Sequence, residues 1–146
     1  MQDLLSRIEI RLNDSIFLKD PNSSELGKRI VSSGIDLIAE LGFEHFTIKK
    51  LGKRISSPEA SIYRYFESKH KLLLYITSWY WGWMEYQIVF SHANIISAEE
   101  RLKKSIEMIT GELPELLGYP HIDSDNLYTI LVTESSKSYL HKKVDD

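Results

Sequence analysis

The stretch TIKKLGKRISSPEASIYRYFESK, residues 47–69, decides the fold of this chain. Its first part places apolar residues at spacings of three and four, namely Ile48, Leu51 and Ile55. This spacing predicts a short helix. Thr47 stands just before it and is a good N-cap, because its hydroxyl can accept a hydrogen bond from the first turn.

A tight polar turn and a second short helix follow. The Ser-Ser-Pro sequence at 56–58 supplies a capping hydroxyl and then a proline, whose fixed φ and missing N–H suit the first position of a helix. The second helix should therefore begin near Pro58, with Ala60 or Ile62 and then Phe66 as its apolar anchors. The other side chains would face outward or sideways: Glu59, Ser61, Tyr63, Arg64 and Tyr65.

Nothing in the sequence resembles a membrane span or a secretion signal. The longest apolar runs are far below the ~18 residues that a transmembrane helix needs, and Asp3, Arg7, Glu9 and Arg11 interrupt the first residues. The 146 residues include no cysteine, which excludes disulfides and thiolate metal sites. We therefore expect a cytoplasmic protein with one well-packed domain, or a small domain and a larger companion.

Charge is distributed unevenly along the chain. The net charge is −3, but residues 45–71 hold seven basic and two acidic side chains, a net of +5 that leaves −8 for the rest. A basic segment on an acidic protein directs one surface toward phosphate and keeps the other away from it. Charge alone leaves open the alternative that this lysine-rich helix face is only solvated.

The residues around this segment predict two further helices. The serine pair at 23–24 can cap a helix that ends at Leu41, because Gly42 is a natural C′ residue. Ser68 can cap the longest helix, about residues 69–90, which is apolar around most of its circumference and must be covered on most sides. Between these two helices, Phe43 and Phe46 should fill the core of a three-helix unit.

Two shorter helices complete the prediction. Ser97 and Glu100 form a capping box for a helix that Pro114 ends or kinks, and a final helix begins near Asp123. The first 22 residues form an N-terminal arm whose conformation stays open between an irregular segment, a short strand and a helical turn. Since no pair of strands is evident, we predict an all-α protein.

The residues from Leu26 to Leu74 carry a set of fixed spacings. They are, in order, Gly42-Phe43, Thr47, Leu51, Ala60, Ile62-Tyr63, Phe66 and Ser68-Lys69. This order resembles the N-terminal domain of TetR-type transcriptional regulators. The resemblance implies a helix-turn-helix domain at 23–70, joined by the long helix to a C-terminal helical domain at 71–146 that binds a ligand and dimerises.

The resemblance also implies that residues 57–63 form the recognition helix in the major groove of DNA. By position, base edges or the adjoining backbone would be contacted by Glu59, Ala60, Ser61 and Arg64. Phosphates would be bound by Thr47, Tyr63, Tyr65 and Lys69, and the basic segment adds Lys49 and Lys50. Arginine can bind guanine with two hydrogen bonds and glutamate can accept one from cytosine N4, each contributing ~1–3 kcal/mol of discrimination.

The turn departs from the family pattern. Where the family has a small residue, a glycine and an aliphatic residue, this chain has Ile55, Ser56 and Ser57, and Pro58 replaces the usual capping serine. We expect Ile55 to supply the missing buried aliphatic side chain.

Members of this family are dimers that read palindromes, with half-sites about 34–36 Å apart, and a small molecule bound to their C-terminal domain controls them. Here Trp79, Trp83 and Tyr86 are candidates for the wall of such an effector pocket. The alternative is that these rings are core and dimer packing. Only about half of the chain follows the matching segment, so we expect the C-terminal domain to be incomplete.

Two hypotheses of function follow. The first is a sequence-specific DNA-binding transcriptional regulator, most often a repressor in this family, controlled by a small-molecule effector. The alternative is a helical ligand-binding or protein-interaction module that has lost operator binding. The five histidines show no short paired spacing, and no serine stands in a nucleophile-elbow context. We therefore expect no metal, no cofactor and no catalysis.

Overall fold

The computed structural model describes residues 9–111, 119 and 121–139. In this part of the chain it contains six α-helices, two 3₁₀ helices and no strand, so the all-α prediction is confirmed. The α-helices are α1 (Glu25–Leu41), α2 (Ile48–Arg54), α3 (Glu59–Tyr63), α4 (Lys69–His92), α5 (Ala98–Thr110) and α6 (Ser124–Thr133). The 3₁₀ helices are Pro21–Ser23 and Ser135–Tyr139.

Helix α1 begins and ends where its capping residues predict. The Ser24 hydroxyl accepts a hydrogen bond from the Gly27 N–H at 3.0 Å. At the other end Gly42 adopts a φ of +78°, which glycine reaches without steric cost, and its N–H donates to the Ile38 carbonyl at 2.8 Å. The core side of the helix is apolar and buried: Ile30, Val31, Ile35, Leu37 and Ile38.

Residues 42–47 form a corner between α1 and α2. Phe43 and Phe46 on this corner are buried in the three-helix unit of α1, α2 and α3, as predicted. Leu51 from α2 and Phe66 after α3 are fully buried in the same core. Thr47 ends the corner and caps α2, since its hydroxyl accepts from the Lys50 N–H at 3.1 Å.

The turn between α2 and α3 differs from the prediction in one respect. Pro58 itself occupies the N-cap position of α3, and no side chain caps that helix, so the predicted serine cap is wrong. Ser57 lies one residue before the N-cap position. It belongs to the turn, where its N–H donates to the Gly52 carbonyl at 2.9 Å. Ile55 is buried, as expected for the residue that replaces the missing aliphatic side chain.

Helix α4 is capped by Ser68, whose hydroxyl accepts from the Lys71 N–H at 3.2 Å. Its first two thirds are buried on most sides, as predicted, but Tyr86 and Phe90 are exposed although their spacing predicted burial. The prediction fails there because α5, although it contacts this end of α4, buries none of its own side chains and leaves Tyr86 and Phe90 uncovered. Within the described residues no helix, α4 included, is long and apolar enough to cross a lipid bilayer.

Helix α6 packs against α1. Asp123 caps it by accepting from the Asn126 N–H at 3.0 Å, and Leu127 and Ile130 are fully buried. The Asn126 side-chain amide donates to the Asp36 carboxylate at 2.9 Å. The 3₁₀ helix at 135–139 then packs on α4. The predicted end of α5 at Pro114 lies outside the described residues.

The described part of the N-terminal arm is irregular until the 3₁₀ helix at 21–23. It lies along α4. Ile10 is buried against Gly82, where a Cβ would stand 2.8 Å from the Ile10 Cγ2. Further on, the Leu18 N–H donates to the Tyr65 carbonyl at 2.8 Å. The arm therefore reaches from the middle of α4 to the chain just after α3.

Candidate nucleic-acid interface

Helices α2 and α3 cross at Gly52. A Cβ at this position would lie 2.7 Å from the Ser57 carbonyl oxygen, so only glycine allows the two backbones to approach this closely. Of the two residues predicted to anchor α3 in the core, Ile62 is fully buried and Ala60 is exposed. Because α3 is held along one side only, its opposite side is free to face solvent.

The solvent side of α3 collects most of the residues predicted to contact bases. Glu59, Ala60, Tyr63 and Arg64 are exposed, and Ser61 is half-buried. At 100° per residue, Ala60, Tyr63 and Arg64 project away from Ile62, whereas Glu59, one turn before Ile62, lies at the edge of the exposed surface. The structure therefore brings these side chains together on one accessible surface.

Three basic side chains near this surface are unpaired. Lys49 and Lys53 on α2 and Arg64 after α3 are exposed and make no hydrogen bond or ion pair within the described part of the chain. In contrast, the Lys50 ammonium donates to the His45 carbonyl at 2.7 Å, and Arg54 pairs with Glu40 at 2.6 Å. Lys49, Lys53 and Arg64 are thus the cations most available to phosphate.

Thr47, a predicted phosphate ligand, is exposed at the start of α2. Its hydroxyl oxygen already accepts from the Lys50 N–H, but the hydroxyl proton is not committed by that bond. Thr47 therefore remains able to donate to a phosphate oxygen.

Tyr65 was expected to face outward or sideways, but its side chain is buried instead. Its side chain is 3% exposed, because it turns back against the N-terminal arm. Its hydroxyl forms a 2.6 Å hydrogen bond with the Ser24 hydroxyl, and the Lys19 ammonium stands 5.0 Å from its ring centroid. The hydrogen bond to Ser24 outweighs burial and lowers the pKa of Tyr65. The geometry argues against direct contact between Tyr65 and phosphate.

Lys69, another predicted phosphate ligand, extends into the corner at 42–47. Its ammonium donates to the Phe43 carbonyl at 2.9 Å and to the Phe46 carbonyl at 3.0 Å, with the Glu44 carbonyl at 3.5 Å. It also lies 4.5 Å from the centroid of the Phe43 ring. Burial lowers the pKa of this lysine. Since an ammonium has three hydrogens, the carbonyls can use all of them.

Sequence reasoning missed Glu134, which reaches the same corner from the end of α6. Its carboxylate accepts from the Phe43 N–H at 3.3 Å and from the Lys137 ammonium at 2.7 Å. Burial raises the pKa of Glu134, but the hydrogen bonds from Lys137 and Phe43 outweigh burial and leave this pKa below its usual value. Nothing in the sequence connects two positions that are 91 residues apart.

The rings proposed for an effector pocket do not share one environment. Trp79 and Trp83 are buried, whereas Tyr86 is exposed. Trp79 packs edge to face on Tyr119, with ring centroids 4.8 Å apart. A cavity of about 290 Å³ lies elsewhere, between the N-terminal arm and Tyr75 of α4. The prediction that Trp79, Trp83 and Tyr86 line a single effector pocket gains no support from this arrangement.

A comparison with protein-family models found a match in the segment that contains α2 and α3. Residues 30–76 match the model described as "Bacterial regulatory proteins, tetR family", and this range includes α2, α3 and parts of α1 and α4. The resemblance to TetR-type regulators is therefore confirmed over the three-helix unit. Searches among curated proteins and among solved structures found no match to this chain.

Proposed function

We propose that this chain, a DNA-binding transcriptional regulator of the TetR family by its residues 30–76, binds a palindromic operator as a homodimer and represses transcription. A small-molecule effector would control its occupancy of the operator. The observation that carries the proposal is the exposed side of α3, where Ala60, Tyr63 and Arg64 project away from the buried Ile62 and Glu59 is exposed at the edge.

The roles of the individual side chains follow from their exposure and charge. Arg64 and Glu59 are the candidates for base contacts, with Ala60 and Ser61 beside them, because a helix in the major groove reads bases with three or four side chains. Lys49, Lys53, Thr47 and Tyr63 are the candidates for phosphate contacts, which position the protein on the duplex, and Lys50 would join them if its ammonium left the His45 carbonyl.

The proposed homodimer is supported by an apolar side of α5 that the described residues leave exposed. Leu102, Ile106 and Ile109 recur at helical spacing and are between 48% and 63% exposed. In folded proteins the apolar side of an amphipathic helix is normally buried against other protein. A second copy of the chain would cover it and would also supply the second recognition helix that a palindrome requires.

The proposed effector control is supported by family resemblance alone. We place the effector among the C-terminal helices, where Trp79 and Trp83 are buried and Tyr86 is exposed. We expect no enzymatic activity, in line with the non-enzymatic role of this family.

The test is a pull-down of genomic DNA fragments with the purified protein, followed by binding measurements on the enriched duplex. We expect enrichment of palindromes. Arg64→Ala should loosen base preference at one position of each half-site, by ~1–3 kcal/mol, whereas Lys49→Ala should weaken binding to all sequences equally.

No enrichment, together with binding that neither substitution changes, would refute the regulator proposal. The alternative function, a protein-interaction module that keeps the three-helix unit as a scaffold, would then account for the exposed apolar side of α5.

A further inference from the structure

We propose that Lys69 and Glu134 are positioning residues for DNA recognition, which clamp the corner at 42–47 and thereby set the orientation of α2 and α3. Neither side chain would contact DNA. This inference rests on the proposed function and extends it, because it identifies residues outside α2 and α3 on which operator recognition depends.

The clamp holds the backbone of the corner from two directions. Lys69, at the first position of α4, donates to the carbonyls of Phe43 and Phe46 at 2.9 and 3.0 Å. Glu134, at the end of α6, accepts from the N–H of the same Phe43 at 3.3 Å. Phe43 is thus held at both its N–H and its carbonyl by oppositely charged groups from two different helices.

Hydrogen bonds to charged groups are stronger than those between neutral groups, and burial strengthens them further. Lys69 is half-buried and Phe43 is 3% exposed. The Glu134 side chain is only 13% exposed, and Lys137 holds it in place at 2.7 Å. Water therefore competes poorly for these bonds.

The corner transmits its position to the recognition helix through short contacts. Thr47 ends the corner and caps α2. α2 then carries α3 at a fixed distance, because the Ser57 N–H bonds to the Gly52 carbonyl at 2.9 Å and a Cβ at Gly52 would touch the Ser57 carbonyl. A displacement of the corner would therefore move α3 relative to the rest of the molecule.

Glu134 links this arrangement to the C-terminal part of the chain. It follows α6, which is attached to α1 by the hydrogen bond from Asn126 to Asp36 at 2.9 Å. Lys137 on the following 3₁₀ helix pairs with Glu134 and approaches Glu44 of the corner at 4.0 Å. A shift of α6 along α1 would thus reach the corner directly.

The experiment compares Lys69→Met with Lys49→Met, the same substitution at an exposed and unpaired lysine of α2. Each protein is titrated with two probes over a series of salt concentrations: the palindromic duplex from the genomic pull-down and a duplex of random sequence. Circular dichroism melting establishes that each variant is folded.

Lys49→Met should lower the salt slope by ~0.9 on both probes, since one phosphate contact is lost, and should leave the preference for the palindrome unchanged. Lys69→Met should keep the wild-type slope and should reduce that preference roughly tenfold. The reason is that a clamp acts on the fit of α3 to the groove and not on phosphate charge.

Glu134→Ala provides a second and independent measurement. Removal of a negative charge would by itself strengthen binding to DNA, whereas loss of the clamp should weaken binding to the palindrome by roughly tenfold. The matched control is Glu25→Ala, an exposed glutamate at the start of α1, which should cause no loss. Glu134→Gln, which retains an acceptor for the Phe43 N–H, should recover part of the preference.

The clamp is refuted if Lys69→Met lowers the salt slope as Lys49→Met does, because Lys69 would then be a phosphate ligand. It is equally refuted if Glu134→Ala binds the palindrome as well as the wild type. Should Lys69→Met fail to fold, the comparison of Glu134→Ala with Glu25→Ala tests the clamp by itself. A wild-type protein without preference for any palindrome would instead refute the proposed function, and the variants play no part in that result.

Discussion

At the scale of single residues, Ser56 is the one non-glycine residue of the described chain with a positive φ. Its φ is +53°, in the left-handed region, where an L-residue is less stable by roughly 1–2 kcal/mol. Ser56→Gly should raise the free energy of unfolding by roughly 0.5–1 kcal/mol, because the greater freedom of glycine in the unfolded chain cancels part of the gain. Urea denaturation measures this, with Ser56→Ala as the control that should bring no gain. A glycine variant less stable than the wild type would contradict the prediction.

Glu134 should make stability depend on pH. Burial raises its pKa, but the hydrogen bonds from Lys137 and Phe43 outweigh burial, so the folded-state pKa lies below the ~4.3 of an unfolded glutamate. The stability that Glu134 contributes is therefore fully present above about pH 4.3 and is lost as pH falls through the lower, folded-state pKa.

Glu134→Gln removes this titration, so its unfolding free energy should fall less steeply than that of the wild type between about pH 5 and pH 3. Urea denaturation at a series of pH values compares the two proteins. Identical slopes over this interval would mean that the carboxylate has the same pKa in the folded and unfolded chains.

At the scale of elements, the pair of α2 and α3 depends on close backbone approach. Gly52→Ala would place a Cβ 2.7 Å from the Ser57 carbonyl, and because that atom is backbone, α3 must move. We expect a loss of about 1–3 kcal/mol in stability, as for overpacking, and weaker binding to the operator. Thermal melting and DNA titration measure the two effects. Lys53→Ala, an exposed change one residue away, is the control for stability only and should leave stability nearly unchanged; equal losses of stability in both variants would contradict this account.

Helix α4 shows how one element can change environment along its length. Its first two thirds are buried under the three-helix unit, the N-terminal arm and the 3₁₀ helix at 135–139. Its last third leaves Tyr86, Val89 and Phe90 exposed. The apolar pattern is similar along the whole helix, so the difference comes from what lies next to it.

At the scale of the whole molecule, dimer formation should depend on the exposed side of α5. Ile106→Glu places a charge in the middle of that apolar side, where Leu102 and Ile109 flank it. In the proposed dimer this charge would be buried without a partner, which is unfavourable. We therefore expect the variant to be monomeric at concentrations where the wild type is dimeric, as measured by analytical ultracentrifugation.

Operator affinity should fall in parallel, since a monomer engages one half-site only. The control is Lys104→Glu, on the opposite side of the same helix, which also adds a negative charge and should leave the dimer intact. A dimer that survives Ile106→Glu would place the interface between copies elsewhere on the chain.

Much of the local structure could be predicted from sequence, because it depends on neighbours along the chain. Helix caps at Ser24, Thr47, Ser68 and Ser97 formed as their side chains predicted, and the last α-helix begins next to Asp123 as expected. The burial of Phe43, Phe46 and Ile55 also followed from periodicity and spacing. The spacings that indicated a TetR-type domain are likewise local, since they span a single segment of the chain.

The sequence by itself thus determined the helices, their order and the family of the three-helix unit, since capping and amphipathic periodicity act over a few residues. Only the tertiary structure decided where Tyr65, Lys69 and Glu134 lie. Tyr65 turns inward to Ser24, and Lys69 and Glu134 meet at Phe43, through contacts between residues 26 to 91 positions apart. Such contacts depend on how the helices pack, and no pattern of adjacent residues records that packing.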